Sequence, residues 1–135
     1  MNDEGRIRIT MQAIADTACA IDGIESAAIF VGESSGALEL AGAAGISGPP
    51  LDGLVAAVRN PAHPIAKAMA DDGPTYDVFP MNPGGPALRS HLPMRSGDRN
   101  VGVLAVAHDL ALPSDARAAL EALASEAAAR QSPRP

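Results

Sequence analysis

The chain has 135 residues, ten of them basic and sixteen acidic, for a net charge of −6 at pH 7. That balance disfavours nucleic acid or an anionic membrane as the main partner, since both are bound through a positive excess. One tyrosine, two phenylalanines and no tryptophan leave too few rings for a platform that stacks bases.

The length suits one domain over residues 1–135, with a core from about 7 to 130 and a flexible tail at 131–135. The first ten residues, MNDEGRIRIT, are charged and hold no apolar core, so no secretory signal is read there. No apolar run approaches the roughly 18 residues that a membrane helix needs. The single cysteine, Cys19, excludes an intramolecular disulfide and reads as a small buried hydrophobe on a helix. These features set the expectation of a cytoplasmic protein.

Ile7, Met11, Ile14, Ala18 and Ile21 recur at spacings of 4, 3, 4 and 3, which places them on one stripe of a first helix ended by Gly23. Ser26–Val31 reads as a strand apolar on both faces, Gly32–Gly36 as a turn, and Ala37–Ala41 as a second strand completing a hairpin. AGAAGISGPP is rich in glycine and proline and reads as a loop. Leu51, Leu54, Val55 and Val58 mark a second helix ended by Asn60 and Pro61. A short third helix starts at Pro64, carries Ile65, Ala68 and Met69 inward, and stops at Asp71-Asp72-Gly73.

Thr75–Phe79 is a third strand, and Met81–Pro86 a loop. Ala87–Met94 and Val101–Ala107 form a last hairpin around a polar turn at Arg95–Asn100. Its second strand alternates Val101, Val103 and Ala105 with Leu104 and Val106, so it has no polar face and must be covered on both sides. Ser114 caps a final helix to about Arg130, with Ala116, Leu120, Leu123 and Ala127 at spacings of 4, 3 and 4. The expected architecture is α+β, with a central sheet of five or six mostly antiparallel strands. The terminal helices cover one face, and the short helices and loops cover the other.

Three segments carry a resemblance to the GAF domain, within a GAF/PAS-like class. ELAGAAG, Glu39–Gly45, is like that family's second strand running into a glycine. HPIAKAMADDGPTYDV, His63–Val78, is like its short helix, acidic-glycine turn and third strand. SHLPMRSGDRNVGVLAVAH is similar to its last hairpin, where a proline ends one strand. The resemblance implies a sensory or regulatory module that binds a small molecule between the sheet and the central helices and loops, often dimerises through its terminal helices, and mostly sits beside an effector domain. With none read in this sequence, output is expected through an effector protein in trans or through the dimer itself. A roadblock-like or profilin-like scaffolding domain that binds no ligand is the alternative, suggested by IDGIESAAIFVGESSGALELA.

The first candidate site is Arg89 with His91. Two residues apart on a strand, they share a face, while Ser90, Leu92 and Met94 take the other. Such a pair suits a carboxylate or phosphate, through a bidentate guanidinium contact and an imidazole hydrogen bond. Tyr76, Asp77 and Phe79, beside the Gly84-Gly85 pair of Met81–Pro86, read as pocket residues under a lid. His63 reads as the residue that opens a helix and His108 as a strand-end residue. The three histidines have no metal-ligand spacing, so neither a metal nor a haem cofactor is expected.

Gly45-Ile46-Ser47-Gly48-Pro49 departs from a nucleophile elbow at Pro49. GAF proteins that reduce free methionine sulfoxide use several central cysteines, and this chain has none there. The cysteine for a bilin is missing too, as is the asparagine-lysine-phenylalanine-aspartate-glutamate set of cyclic-nucleotide GAF domains. These departures set the expectation of a module without catalytic activity. The helical stripes fit ordinary core packing. They also fit a homodimer seam through Met11, Ile14 and Ala18 on the first helix and Leu120, Leu123 and Ala127 on the last.

Overall fold

Five strands form one antiparallel sheet in the order β2-β1-β5-β4-β3, so the strand that is apolar on both faces lies at its centre. The computed structural model describes residues 3–32, 37–79 and 86–131, with side chains from residue 10 onward. The elements are α1 (Asp3–Cys19), β1 (Ile24–Val31), β2 (Glu39–Ala44), α2 (Gly48–Ala57), α3 (Pro64–Lys67), a 3₁₀ turn (Ala68–Ala70), β3 (Thr75–Val78), β4 (Leu88–Ser96), β5 (Arg99–His108) and α4 (Ser114–Gln131). The element types and their order match the sequence expectation. The predicted turn after Gly32 and most of the predicted loop at Met81–Pro86 lie outside the described residues.

Two cores flank the sheet. On one face Ala27, Ile29, Leu92, Met94, Leu104 and Val106 meet the stripes of α1 and α4. On the other Ala28, Phe30, Val103 and Ala105 meet Val58, Ile65, Ala68 and Met69. The helical stripes are consumed by the chain's own sheet: Met11, Ile14, Ala18, Leu120 and Ala127 are buried in the first core, and Leu123 packs against it. Of the six residues read as a dimer seam, five are thus buried in the chain's own core and Leu123 is half-buried at its edge.

Several boundaries differ for physical reasons. The alanine-glycine run after Leu40 continues β2 to Ala44 rather than forming a loop. A bulge at Ala41 shifts the register, with Ile29 opposite Gly42 and Phe30 opposite Leu40. The Gln12 side chain then bridges Ala43, its Nε2 donating to the carbonyl at 2.6 Å and its Oε1 accepting from the amide at 3.1 Å. A helix side chain thus satisfies a stretch of edge-strand backbone. The last hairpin turns on two residues, with Ser96 opposite Arg99 and Gly97 at φ 66°, the positive φ that a two-residue turn asks of its first position. Pro93 stays inside β4, at a point where β3, paired only as far as His91, no longer needs an amide from β4. A register shift beyond Met94 turns Val101 into the first core with Leu104, rather than alongside Val103.

Gly42 sets how close α1 lies to β2, since a Cβ there would come within 2.8 Å of the Met11 carbonyl. Gly42→Ala is expected to cost about 1–3 kcal/mol of stability, read as a lower urea midpoint. An unchanged midpoint would mean that α1 shifts off the sheet without loss.

Candidate functional site

The alternation of β4 sends Arg89 and His91 to the second face, and Ser90, Leu92 and Met94 to the first. Arg89 and His91 stand opposite Ala107 and Ala105 of β5, whose methyl side chains leave space above the sheet. Beside that space, Arg89 and His91 line a cavity of about 640 Å³, roofed by Gly53, Ala56 and Ala57 of α2. Asn60, Ala62 and His63 wall one side, and Val78 and Phe79 at the end of β3 wall the other. Phe79 is 79% exposed and stands at the rim. A second cavity of about 370 Å³ runs toward Glu25, Ile46, Leu54 and Asp109, and Arg89 lines both.

Polar groups in the larger cavity have few partners. Burial lowers the Arg89 guanidinium from its ordinary pKa, and among the described residues it is in neither ion pair. His91 is 3% exposed, and its Nε2 has no hydrogen-bond partner among the described residues. Burial, then the charges of Arg89 and His63, push its pKa down from 6.5 to about 4, so the ring is neutral at pH 7. His63 is shifted the same way, by burial and then by Arg89. Its Nδ1 accepts the Ile65 amide at 3.1 Å and caps α3, which leaves the proton of the neutral ring on Nε2. No carboxylate is among the described residues lining this cavity. At the far end of the smaller one, a hydrogen bond with Asp109 raises the pKa of Glu25.

Tyr76 and Asp77, expected beside Phe79, sit on the helix side instead. β3 pairs with β4 only at Thr75 and Val78, and between them Asp77 takes a φ of 59°, so the strand does not alternate there. Tyr76 donates its hydroxyl proton to Glu121 of α4, and its ring lies under Arg117, 4.3 Å from the guanidinium carbon. Burial, then the bond to Glu121, raises its pKa. Asp77 pairs with Arg117 at 2.7 Å and accepts the Leu112 amide at 3.1 Å.

The Asp77 amide donates to Ser90 Oγ at 3.0 Å, and Ser90 Oγ lies 2.9 Å from His108 Nε2. His108 Nδ1 meets the Leu110 carbonyl at 2.7 Å, and a carbonyl only accepts, so Nδ1 carries the proton and Nε2 accepts from Ser90. Ser90 and His108 are both wholly buried, which makes this chain of bonds a structural link rather than an exposed nucleophile and base. Cys19 donates to the Glu25 carbonyl at 3.6 Å and lines neither cavity.

No protein-family model matches the sequence, and no curated protein matches it. Solved structures do. The type II free methionine-R-sulfoxide reductase from Thermoplasma acidophilum is similar at a TM-score of 0.77 and 16% identity, covering 96% of this chain and 94% of that one. The GAF domain of a phosphoenolpyruvate-protein phosphotransferase from Coxiella burnetii gives 0.73 and 13% identity, covering 92% and 81%. The GAF-B domain of DevS from Mycobacterium smegmatis gives 0.71 and 17% identity, covering 93% and 92%. The chain therefore has the GAF fold. The expectation of a module without catalytic activity is corrected by the first of these: an enzyme stands among the neighbours, so this architecture accommodates catalysis.

The electrostatics of His91 give a pH dependence with a definite sign. Between pH 6.5 and about 4 the unfolded chain gains a proton on His91 that the folded chain lacks, so stability falls as pH falls. The loss is at most about 1.4 kcal/mol per pH unit from this ring. His91→Gln is expected to flatten that limb in urea unfolding followed across the window. A limb as steep as in the unaltered protein would mean that the ring protonates freely in the native state.

Proposed function

We propose that this chain is a regulatory module on the GAF fold that binds a small molecule in the 640 Å³ cavity, with the ligand's anionic group on Arg89. One observation carries the reading: a largely desolvated guanidinium faces a cavity in which no described residue offers a carboxylate. A bound carboxylate or phosphate supplies the missing charge and fits the fork of donors two at a time. The Glu25–Asp109 pair at the far end of the smaller cavity repels an anion, which favours seating it on the Arg89 side. Gly53, Ala56 and Ala57 of α2 leave room for the body of the ligand, as a largely preformed site requires. The regulatory part of the reading comes from the GAF domains among the structural neighbours.

The open cavity favours this reading over a scaffolding module, whose corresponding space would be filled by alanine and methionine side chains. Mass spectrometry of the purified protein under native and denaturing conditions tests it. An acidic small molecule is expected on the native protein, lost on denaturation and absent from a folded Arg89→Ala variant. The same mass increment on Arg89→Ala would overturn the assignment of Arg89 as the anion contact.

A further inference from the structure

We infer that the cavity takes up its oxoanion together with a proton, which His91 accepts as the anion docks on Arg89, so that the site responds to acidification. The inference rests on the cavity being the ligand site and concerns what occupancy answers to. His91 is 3% exposed and lies two residues from Arg89 on the same face of β4. It lines the same cavity, and its Nε2 has no partner among the described residues. Arg89 and His63 are the charged or titratable groups that act on it. Its cross-strand neighbours, Thr75 on β3 and Ala105 on β5, carry no charge.

In the empty cavity a proton on His91 places a second cation beside Arg89 with no counter-ion. An oxoanion on Arg89 reverses that balance. It attracts the imidazolium, and it accepts a hydrogen bond from Nε2–H, which the charged ring always carries. The proton comes from solvent, and no other bond is made or broken. His63 is not suited to this part, because its Nδ1 is occupied by the Ile65 amide, and a proton there would remove the cap of α3.

The linkage sign follows. Anion binding raises the His91 pKa from its low value in the empty site, so the complex holds a proton that the free protein lacks. Affinity therefore rises as pH falls toward that low value.

Calorimetric titration with inorganic sulfate, in two buffers of different ionisation enthalpy, reads the proton directly. Between about pH 7 and 5 sulfate keeps its charge, and its affinity is expected to rise several-fold per pH unit, with uptake of a fraction of one proton. His91→Gln is expected to bind sulfate without uptake. His63→Asn, which keeps a capping oxygen, is expected to retain it. Sulfate bound with equal affinity at every pH and no uptake would overturn the proton coupling and leave the anion reading standing. Uptake lost in His63→Asn but kept in His91→Gln would overturn the assignment to His91. No binding of sulfate, acetate or methyl phosphate at any pH would overturn both readings, and where they bind, competition at about pH 7 separates a carboxylate from a phosphate preference. Should His91→Gln not fold, nitrogen NMR of His91 decides, with an upward shift in its titration expected on adding sulfate and no shift overturning the inference.

Discussion

Every layer of this molecule depends on β5 being buried on both faces from Asn100 to His108. A strand without a polar face needs two covers, and the chain has few large side chains to supply them. Toward α1 and α4 the solution is close approach. Ala15, Ala18, Ala116, Ala124, Ala127 and Ala128 are buried there, and Gly42 removes the last Cβ between α1 and β2. Toward α2 and α3 the cover is thinner. α2 has no fully buried residue, and α3 is a single turn continued by a 3₁₀ turn. Short side chains on the floor and a shallow helix above leave space between them, and the two cavities lie there, the smaller over the alanines of β5 and the larger under α2.

Polar groups divide along the same line. On the helix side they satisfy one another, from the Asp77 amide through Ser90 and His108 to the Leu110 carbonyl, and from Asp77 through Arg117 to Tyr76 and Glu121. This network ties β3 and β4 to α4, which is why Tyr76 and Asp77 turn away from the cavity. On the cavity side Arg89 and His91 lack such partners among the described residues. Buried polar groups are usually paired, and an unpaired one costs the full desolvation of its donor or acceptor. His91 Nε2 is such an unpaired buried atom, beside a half-buried Arg89 and opposite a bonded network on the other face, and it is on this contrast that the proposed ligand site rests.

The features that survive from sequence to structure are those set by local period. The stripe of α1, the two-faced character of β1 and β5, and the opposed facings of Arg89–His91 and Ser90–Leu92 all follow from counting residues along an element. What the sequence hides depends on distant contacts or on a break in the period. Ala41–Ala44 has no strand pattern of its own, and becomes a strand because β1 and Gln12 pair its backbone. Val101 and Asp77 change sides at irregularities that no alternation rule anticipates. His63 can be read as the residue that opens a helix, and its Nδ1 does cap α3. Its place in the cavity follows only from the packing of α3 against the sheet, and the histidine before a proline at a helix start was the sole local signal.

Overall charge and local charge point in opposite directions here. The chain carries −6, yet the described residues lining the larger cavity include an arginine and two histidines and no acid. An acidic exterior works against anions at long range, while the site proposed in the cavity would act at short range and low dielectric, where a charge-assisted bond is stronger than in water. Salt screens that repulsion beyond about a Debye length and weakens buried contacts far less. The fold is shared by a reductase and by GAF domains of under 20% identity to this chain, so the backbone does not choose among chemistries. The choice falls to the side chains facing the cavity. Among the described residues of this chain they include nitrogen-bearing side chains on β4 and at the start of α3, while the single thiol lies elsewhere.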